Sequence, residues 1–217
     1  GVGLAPNGSR ESIIDARLYS SPYKYDWRFF AHSQLASTAF PGLNVSRSTV
    51  GAGAEYRIRD FSATGEILNV GRNGTGFAVN GEYHIDDHWS VNGMADNKSL
   101  AAPIRAYADN VNASSYQLGA AYRWHESRSF SLAANQMKFS DGNQRRSVGT
   151  SWTERLITGP IYKLDTTLEY YASRNSSQSP LINYYNPISD RSVGLSFQNE
   201  WVQFRRYEKS LKHVLTI

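Results

Sequence analysis

Cysteine is absent from this 217-residue chain, which excludes a disulfide framework, a thiolate nucleophile and any cysteine-ligated metal. No run approaches the ~20 consecutive apolar residues of a membrane helix, so passage through a bilayer by helices is excluded. Passage by strands is not, because a barrel strand needs only ~9–11 residues with alternating apolar positions. Proline is sparse, at 7 residues. Charge of one sign is scarce as well. Twenty-three basic against 19 acidic residues give +4, spread along the chain, which offers nucleic acid no basic patch. The dense Leu/Ile/Val core of a soluble sandwich is missing too. Apolar residues make up 40% of the chain and the mean hydropathy is −0.51. No signal-peptide pattern stands at Gly1, so an exported protein is expected here as a mature segment.

Alternation is what the chain has in abundance. Between residues 113 and 139, Tyr116, Leu118, Ala120, Tyr122 and Trp124 fall on every second position, with Ser115, Gln117, Gly119, Ala121 and Arg123 between them. A period of two describes a strand with one apolar and one polar face. After the polar tetrad His125 to Arg128, Phe130, Leu132 and Ala134 oppose Ser131, Ala133 and Asn135. This predicts a long antiparallel hairpin. The same pattern recurs along the chain, as in Val50, Ala52, Ala54, Tyr56 against Gly51, Gly53, Glu55, Arg57, and in Leu164, Leu168, Tyr170 against Asp165, Glu169.

Gly1 to Glu11 reads as a flexible lead-in. From Ser12 onward about twelve strands follow in up-and-down order, with no helix signal. Turns fall near residues 20–25, 59–60, 86–88, 125–128, 157–160 and 205–209. Pro41-Gly42 and the Gly71–Gly74 run mark connections at the other end, which also holds the two longest, 96–112 and 174–190. Short turns on one rim and longer loops on the other are the habit of outer-membrane barrels. The expectation is an all-β, up-and-down antiparallel transmembrane barrel spanning 1–217 as one domain. The lipid-facing edge of such a sheet must be paired, and Ile217 lacks a terminal aromatic. Further strands are therefore expected, up to about sixteen in the complete barrel.

Aromatics gather beside the short turns: Trp27, Tyr56 and Tyr83, then Trp89 and Trp124, then Tyr162 and Trp201. This placement predicts a girdle at one membrane–water interface.

Two segments resemble a known family. They are Arg17 to Phe30, RLYSSPYKYDWRFF, and Gly51 to Ile67, GAGAEYRIRDFSATGEI. They are similar to the C-terminal barrel of the poly-β-1,6-N-acetylglucosamine export porins of Gram-negative biofilm formers. The resemblance implies an outer-membrane porin that passes a partly de-N-acetylated polysaccharide. It also implies a periplasmic tetratricopeptide-repeat region, outside this segment, that engages the polymer and a periplasmic deacetylase.

A pore for a partly cationic sugar polymer calls for inward carboxylates, amides and hydroxyls. The polar faces supply Asp15, Glu55, Glu66 and Glu82, then Asp165, Glu169 and Glu200. Arg28, Arg57, Gln117 and Arg123 share those faces. The plainer expectation is a water-filled lumen whose charges pair across strands. His84-Ile85-Asp86-Asp87-His88 has metal-ligand residue types, but a hairpin turn accounts for the aspartates. Gly71 to Gly76 is followed by no Lys-Ser/Thr, and no Gly-x-Ser-x-Gly elbow occurs. No enzyme and no cofactor is expected. The partners expected are lipid and polysaccharide. A general diffusion porin or passive anchor shares every periodicity argument. A soluble β-sandwich that binds carbohydrate is the alternative of another class.

Overall fold

The computed structural model describes residues 2–4, 10–40, 43–177, 182–206 and 209–216. Among these, thirteen strands form a single sheet in chain order. They are β1 (Val2–Leu4), β2 (Arg10–Tyr19), β3 (Trp27–Phe40), β4 (Leu43–Arg57), β5 (Phe61–Asn69), β6 (Thr75–His84) and β7 (Trp89–Asp96), followed by β8 (Ala113–His125), β9 (Arg128–Phe139), β10 (Gln144–Thr158), β11 (Tyr162–Asn175), β12 (Ser189–Arg206) and β13 (Lys209–Thr216). Each pairs antiparallel with the next. Among the described residues no ladder joins β13 to β1.

The two faces of the sheet differ as the alternation predicts. Leu118 is 73% exposed, Val193 72% and Ile67 66%; they share the outer face. Thr49 and Ser115, on the other parity, are 0% exposed. No second sheet covers Leu118 or Tyr116 among the described residues, so the sandwich alternative falls. Its interior would have needed those side chains.

Two expectations are corrected. The lead-in is not structureless throughout: Val2 pairs with Ser12 and Leu4 with Arg10. An extended segment lying beside the free edge of β2 satisfies backbone groups that would otherwise stay unpaired. Nor is the chain free of helix. A short helix, α1 (Ile104–Ala108), interrupts the long connection between β7 and β8, and Gly71–Asn73 forms a 3-10 turn. A helix this short has no stability of its own. Burial of Ile104, Ala106 and Tyr107 holds it.

The connections divide by rim. One rim carries the turns 20–26, 58–60, 85–88, 126–127 and 159–161. The other carries 70–74 and 140–143 with the long loops 97–112 and 176–188. Pro41-Gly42 and residues 207–208 lie outside the described residues; the turn expected at 205–209 is shorter than that, since Arg205 and Arg206 close β12 and Lys209 opens β13.

Candidate functional site

The inner face is polar because every second residue of the long strands is. Near the β1 side of the sheet stands a cluster spanning four strands, β2 to β5. His32 of β3 places Nδ1 2.5 Å from Glu66 Oε1 on β5 and Nε2 3.1 Å from Asp15 Oδ2 on β2. Gln34 donates to the same Asp15 oxygen at 2.8 Å, and Arg17 lies 3.6 Å from Glu66. The His32 and Glu66 side chains are 2% and 6% exposed. β4 passes between them and contributes glycine. A Cβ on Gly51 would stand 2.7 Å from Glu66 Oε1, and one on Gly53 would stand 2.5 Å from the Phe30 ring. Glycine is therefore required here for close approach. His32 escaped sequence reasoning. Its signal was a histidine on a polar parity facing Gly51 and Gly53 on the next strand.

Pairing register puts the other sequence-predicted residues on this same face, but not together. Arg28 stands opposite Glu55, and Arg57 is 3.3 Å from Glu55. Glu82 is 3.6 Å from His84. Gln117 pairs with Met94 and Asn135, Arg123 with Ser129, and Glu200 with Lys163. Asp165 takes a bidentate pair from Arg155, at 2.7 and 3.2 Å. Most acids here thus have a cation or imidazole beside them. Glu169 makes no hydrogen bond or ion pair among the described residues; its carboxylate lies over Gly194, 3.7 Å from where a Cβ would be.

Toward the long-loop rim the inner face turns apolar, which sequence reasoning did not anticipate. Ala36 and Val45 meet Ile104 and Tyr107 of α1. Arg47 donates to the Leu100 carbonyl at 2.8 Å, and the Arg72 amide donates to Tyr107 Oη at 3.1 Å. The connection 97–112 therefore runs from β7 and β8 across to β3 and β4. Met137 and Phe139 bury with Ala102, Ala106, Ala113 and Tyr184, so the second long loop joins the first. Tyr184 stacks on Phe139, with centroids 4.8 Å apart. Its hydroxyl donates to Asp141 Oδ2 at 2.9 Å and accepts from Asn143 at 3.1 Å. Burial pushes the Tyr184 phenol up to about 12; the Asn143 bond opposes this and the Asp141 carboxylate adds to it.

On the outer face, aromatics form a band along the short-turn rim. Trp27 and Tyr56 stand 4.8 Å apart. Trp89, Tyr122, Trp124 and Trp152 follow in steps of 4.7, 4.5 and 5.1 Å. Phe61 pairs with Tyr83, and Tyr162 lies 5.3 Å from Trp201. The chain's 5 tryptophans are 38–44% exposed. The His84–His88 segment is a turn: Asp86 Oδ1 accepts the amides of His88 and Trp89 at 2.8 and 2.6 Å.

The sequence matches the PgaA membrane beta barrel domain over residues 4–217. The chain belongs to that family. Among solved structures, one titled "Bacterial polysaccharide outer membrane secretin" is similar, with a TM-score of 0.87 and 26% identity, covering 95% of this chain and 70% of that one. Comparison with curated proteins gives no match. Membership in a membrane-barrel family accounts for the exposure of Leu118, Ile67 and Val193, since lipid receives the face that water would penalise.

Proposed function

We propose that this chain forms the wall of an outer-membrane porin that exports a partly de-N-acetylated poly-N-acetylglucosamine for biofilm formation in Gram-negative cells. The carrying observation is the sided sheet. A polar inner face runs across the strands behind an exposed apolar outer face, in a chain of the PgaA barrel family. The similar solved chain, titled a polysaccharide secretin, supports polysaccharide as the cargo.

The inner residues named above line the path. Carboxylates attract glucosammonium groups, and amides and hydroxyls replace water around the sugar hydroxyls. No chemical step occurs; the polymer moves through. The short-turn rim faces the periplasm and the long loops face outward, as in other outer-membrane barrels. Additional strands, to about sixteen, close the sheet, because lipid tolerates no open edge. A periplasmic repeat region and deacetylase deliver the polymer.

The test is export of polymer alongside flux of a small neutral solute, in cells carrying the whole protein. Changing Glu82, Asp165 and Glu169 together to amides should lower export and spare solute flux. Equal loss of both would identify a general diffusion porin instead.

A further inference from the structure

A lipid-facing strand position tolerates Arg or Lys only near the membrane interfaces. Four adjacent strands carry one there. Alternation puts Lys138 of β9, Arg146 of β10, Arg174 of β11 and Arg191 of β12 on the outer face, in phase with the exposed Leu132, Trp152, Leu168 and Val193 of the same strands. Register brings the four together. Arg146 and Arg174 are direct cross-strand partners. Arg191 pairs with Ala172, two positions from Arg174, and Lys138 pairs with Gln144, two positions from Arg146. All four side chains are exposed.

Nothing on the protein neutralises them. The ion pairs of β9 to β11, Arg128 with Glu154 and Arg155 with Asp165, lie toward the short-turn rim. None of the four cations makes an ion pair among the described residues; Lys138 has the ring of Tyr116 at 5.8 Å. The outward neighbours Gln136, Val148 and Ser189 are uncharged. Asp190 is on the inner parity, opposite Ser173, and takes the Tyr185 hydroxyl. Like charges directly opposite each other destabilise a sheet, so the facing Arg146 and Arg174 call for an anion from outside.

The patch also lies at a defined depth. Arg191 and Trp201 are ten positions apart on β12, with the exposed Val193, Leu195 and Phe197 between them. That separation is about 33 Å along a strand and about 25 Å along the membrane normal at a tilt of about 40°, the height of a barrel's apolar band. Trp201 belongs to the aromatic band at one interface, so the cations stand at the headgroup level of the other.

We propose that this patch binds the phosphate groups of a phosphorylated glycolipid of the outer leaflet, lipid A. The inference rests on the outward orientation of the long loops proposed above, and not on the cargo. Guanidinium groups match phosphate oxygens two at a time, and basic clusters at a membrane interface hold anionic headgroups. Acyl chains then lie along Val148, Val193 and Leu195. A polymer bearing glucosammonium groups has the same sign of charge as the patch and is repelled by it.

The test titrates the full protein in detergent with bis-phosphorylated lipid A and with a dephosphorylated form that has the same acyl chains, and counts bound lipid by native mass spectrometry. The phosphorylated form should bind at least about tenfold more tightly. Arg146→Gln with Arg174→Gln should bring the two lipids within about twofold, whereas Lys24→Gln with Arg59→Gln, on the short-turn rim, should leave the preference intact. Folding of each variant is checked by heat-dependent gel mobility. Without lipid the Arg146→Gln, Arg174→Gln protein should resist heat at least as well as the unaltered one, since two facing like charges are gone; added lipid A should protect the unaltered protein more. Equal binding of the two lipids, a preference that survives the paired substitution, or an equal preference for phosphatidylglycerol would each overturn the proposal. Orientation is read separately, by reaction of Asn110→Cys with a membrane-impermeant maleimide in intact cells. Labelling together with equal lipid binding removes the lipid site alone; no labelling removes the orientation and the site with it.

Discussion

His32 and Glu66 sit on strands that do not touch, yet His32 Nδ1 lies 2.5 Å from Glu66 Oε1. The contact passes over Gly51, on the strand between them, whose missing side chain leaves the space. One glycine thereby ties β3 to β5 and, through Asp15, to β2. Gly51→Ala should lower stability by ~1–3 kcal/mol through overpacking. His32→Ala and Glu66→Gln, combined, should show a coupling of at least ~0.5 kcal/mol, as for residues in one network. Denaturant unfolding in detergent measures both, and strict additivity would show that the pair contributes nothing.

The two faces should respond oppositely to the same charge. Leu118→Arg places a guanidinium in hydrocarbon and should cost ~2–4 kcal/mol if the site is near the midplane. Gln117→Arg, one residue earlier and facing inward beside Asn135, should be tolerated. Comparable losses in folding yield into lipid vesicles would mean that the faces are assigned wrongly.

All 5 tryptophans lie on the outer face in the half nearest the short turns. Their pooled fluorescence should be quenched strongly by lipids brominated near the headgroup and weakly by lipids brominated at the chain ends. Stronger quenching from the bilayer centre would displace the band from the interface.

The loop 97–112 docks on the inner face at two places, through Ile104 and Tyr107 against Ala36 and Val45, and through Ala102 and Ala106 against Met137 and Phe139. Ile104→Asp buries a charge at the first and should undock the loop there without unfolding the sheet. Limited proteolysis should then cut within residues 97–112 while the heat-dependent gel shift of the barrel remains. Protection equal to that of the unaltered protein would count against the docking.

Tyr184 gives the second loop a pH limit. Its phenol titrates near 12 in the fold, against about 10 in an unfolded chain. The folded state thus holds the proton longer. Its contribution is full below about 10 and is lost as the pH rises through about 12. The phenolate absorbance of the protein minus that of Tyr184→Phe should isolate one late-titrating tyrosine. A midpoint near 10 would mean that the ring is not buried against Phe139.

Much of the architecture was legible because a strand's side chains alternate regardless of what surrounds it. Tyr116 to Trp124 announced an outer face, and Ser115 to Arg123 an inner one, before any fold was known. The short turns were legible through their polar residues, and the aromatic band through its position beside them. The exceptions to parity were legible only in hindsight. Met137 and Phe139 lie on the polar parity of β9, and Leu68 on that of β5. The burial of Met137 and Phe139 comes from loop 97–112, whose Ala102 and Ala106 pack against them. The apolar run Ala101-Ala102-Pro103-Ile104 within a supposed loop was the matching sign.

Sequence by itself determined the period-two pattern, the order of the strands and which side chains each face would carry, because these depend on neighbours along the chain. Tertiary structure alone decided that His32 would meet Glu66, that Asp165 would be neutralised by Arg155 while Glu169 would not, and that Tyr184 would stack on Phe139. Those meetings depend on inter-strand register and on where long loops come to rest. Both are settled by burial and hydrogen bonding between residues far apart in the chain, which no local pattern records.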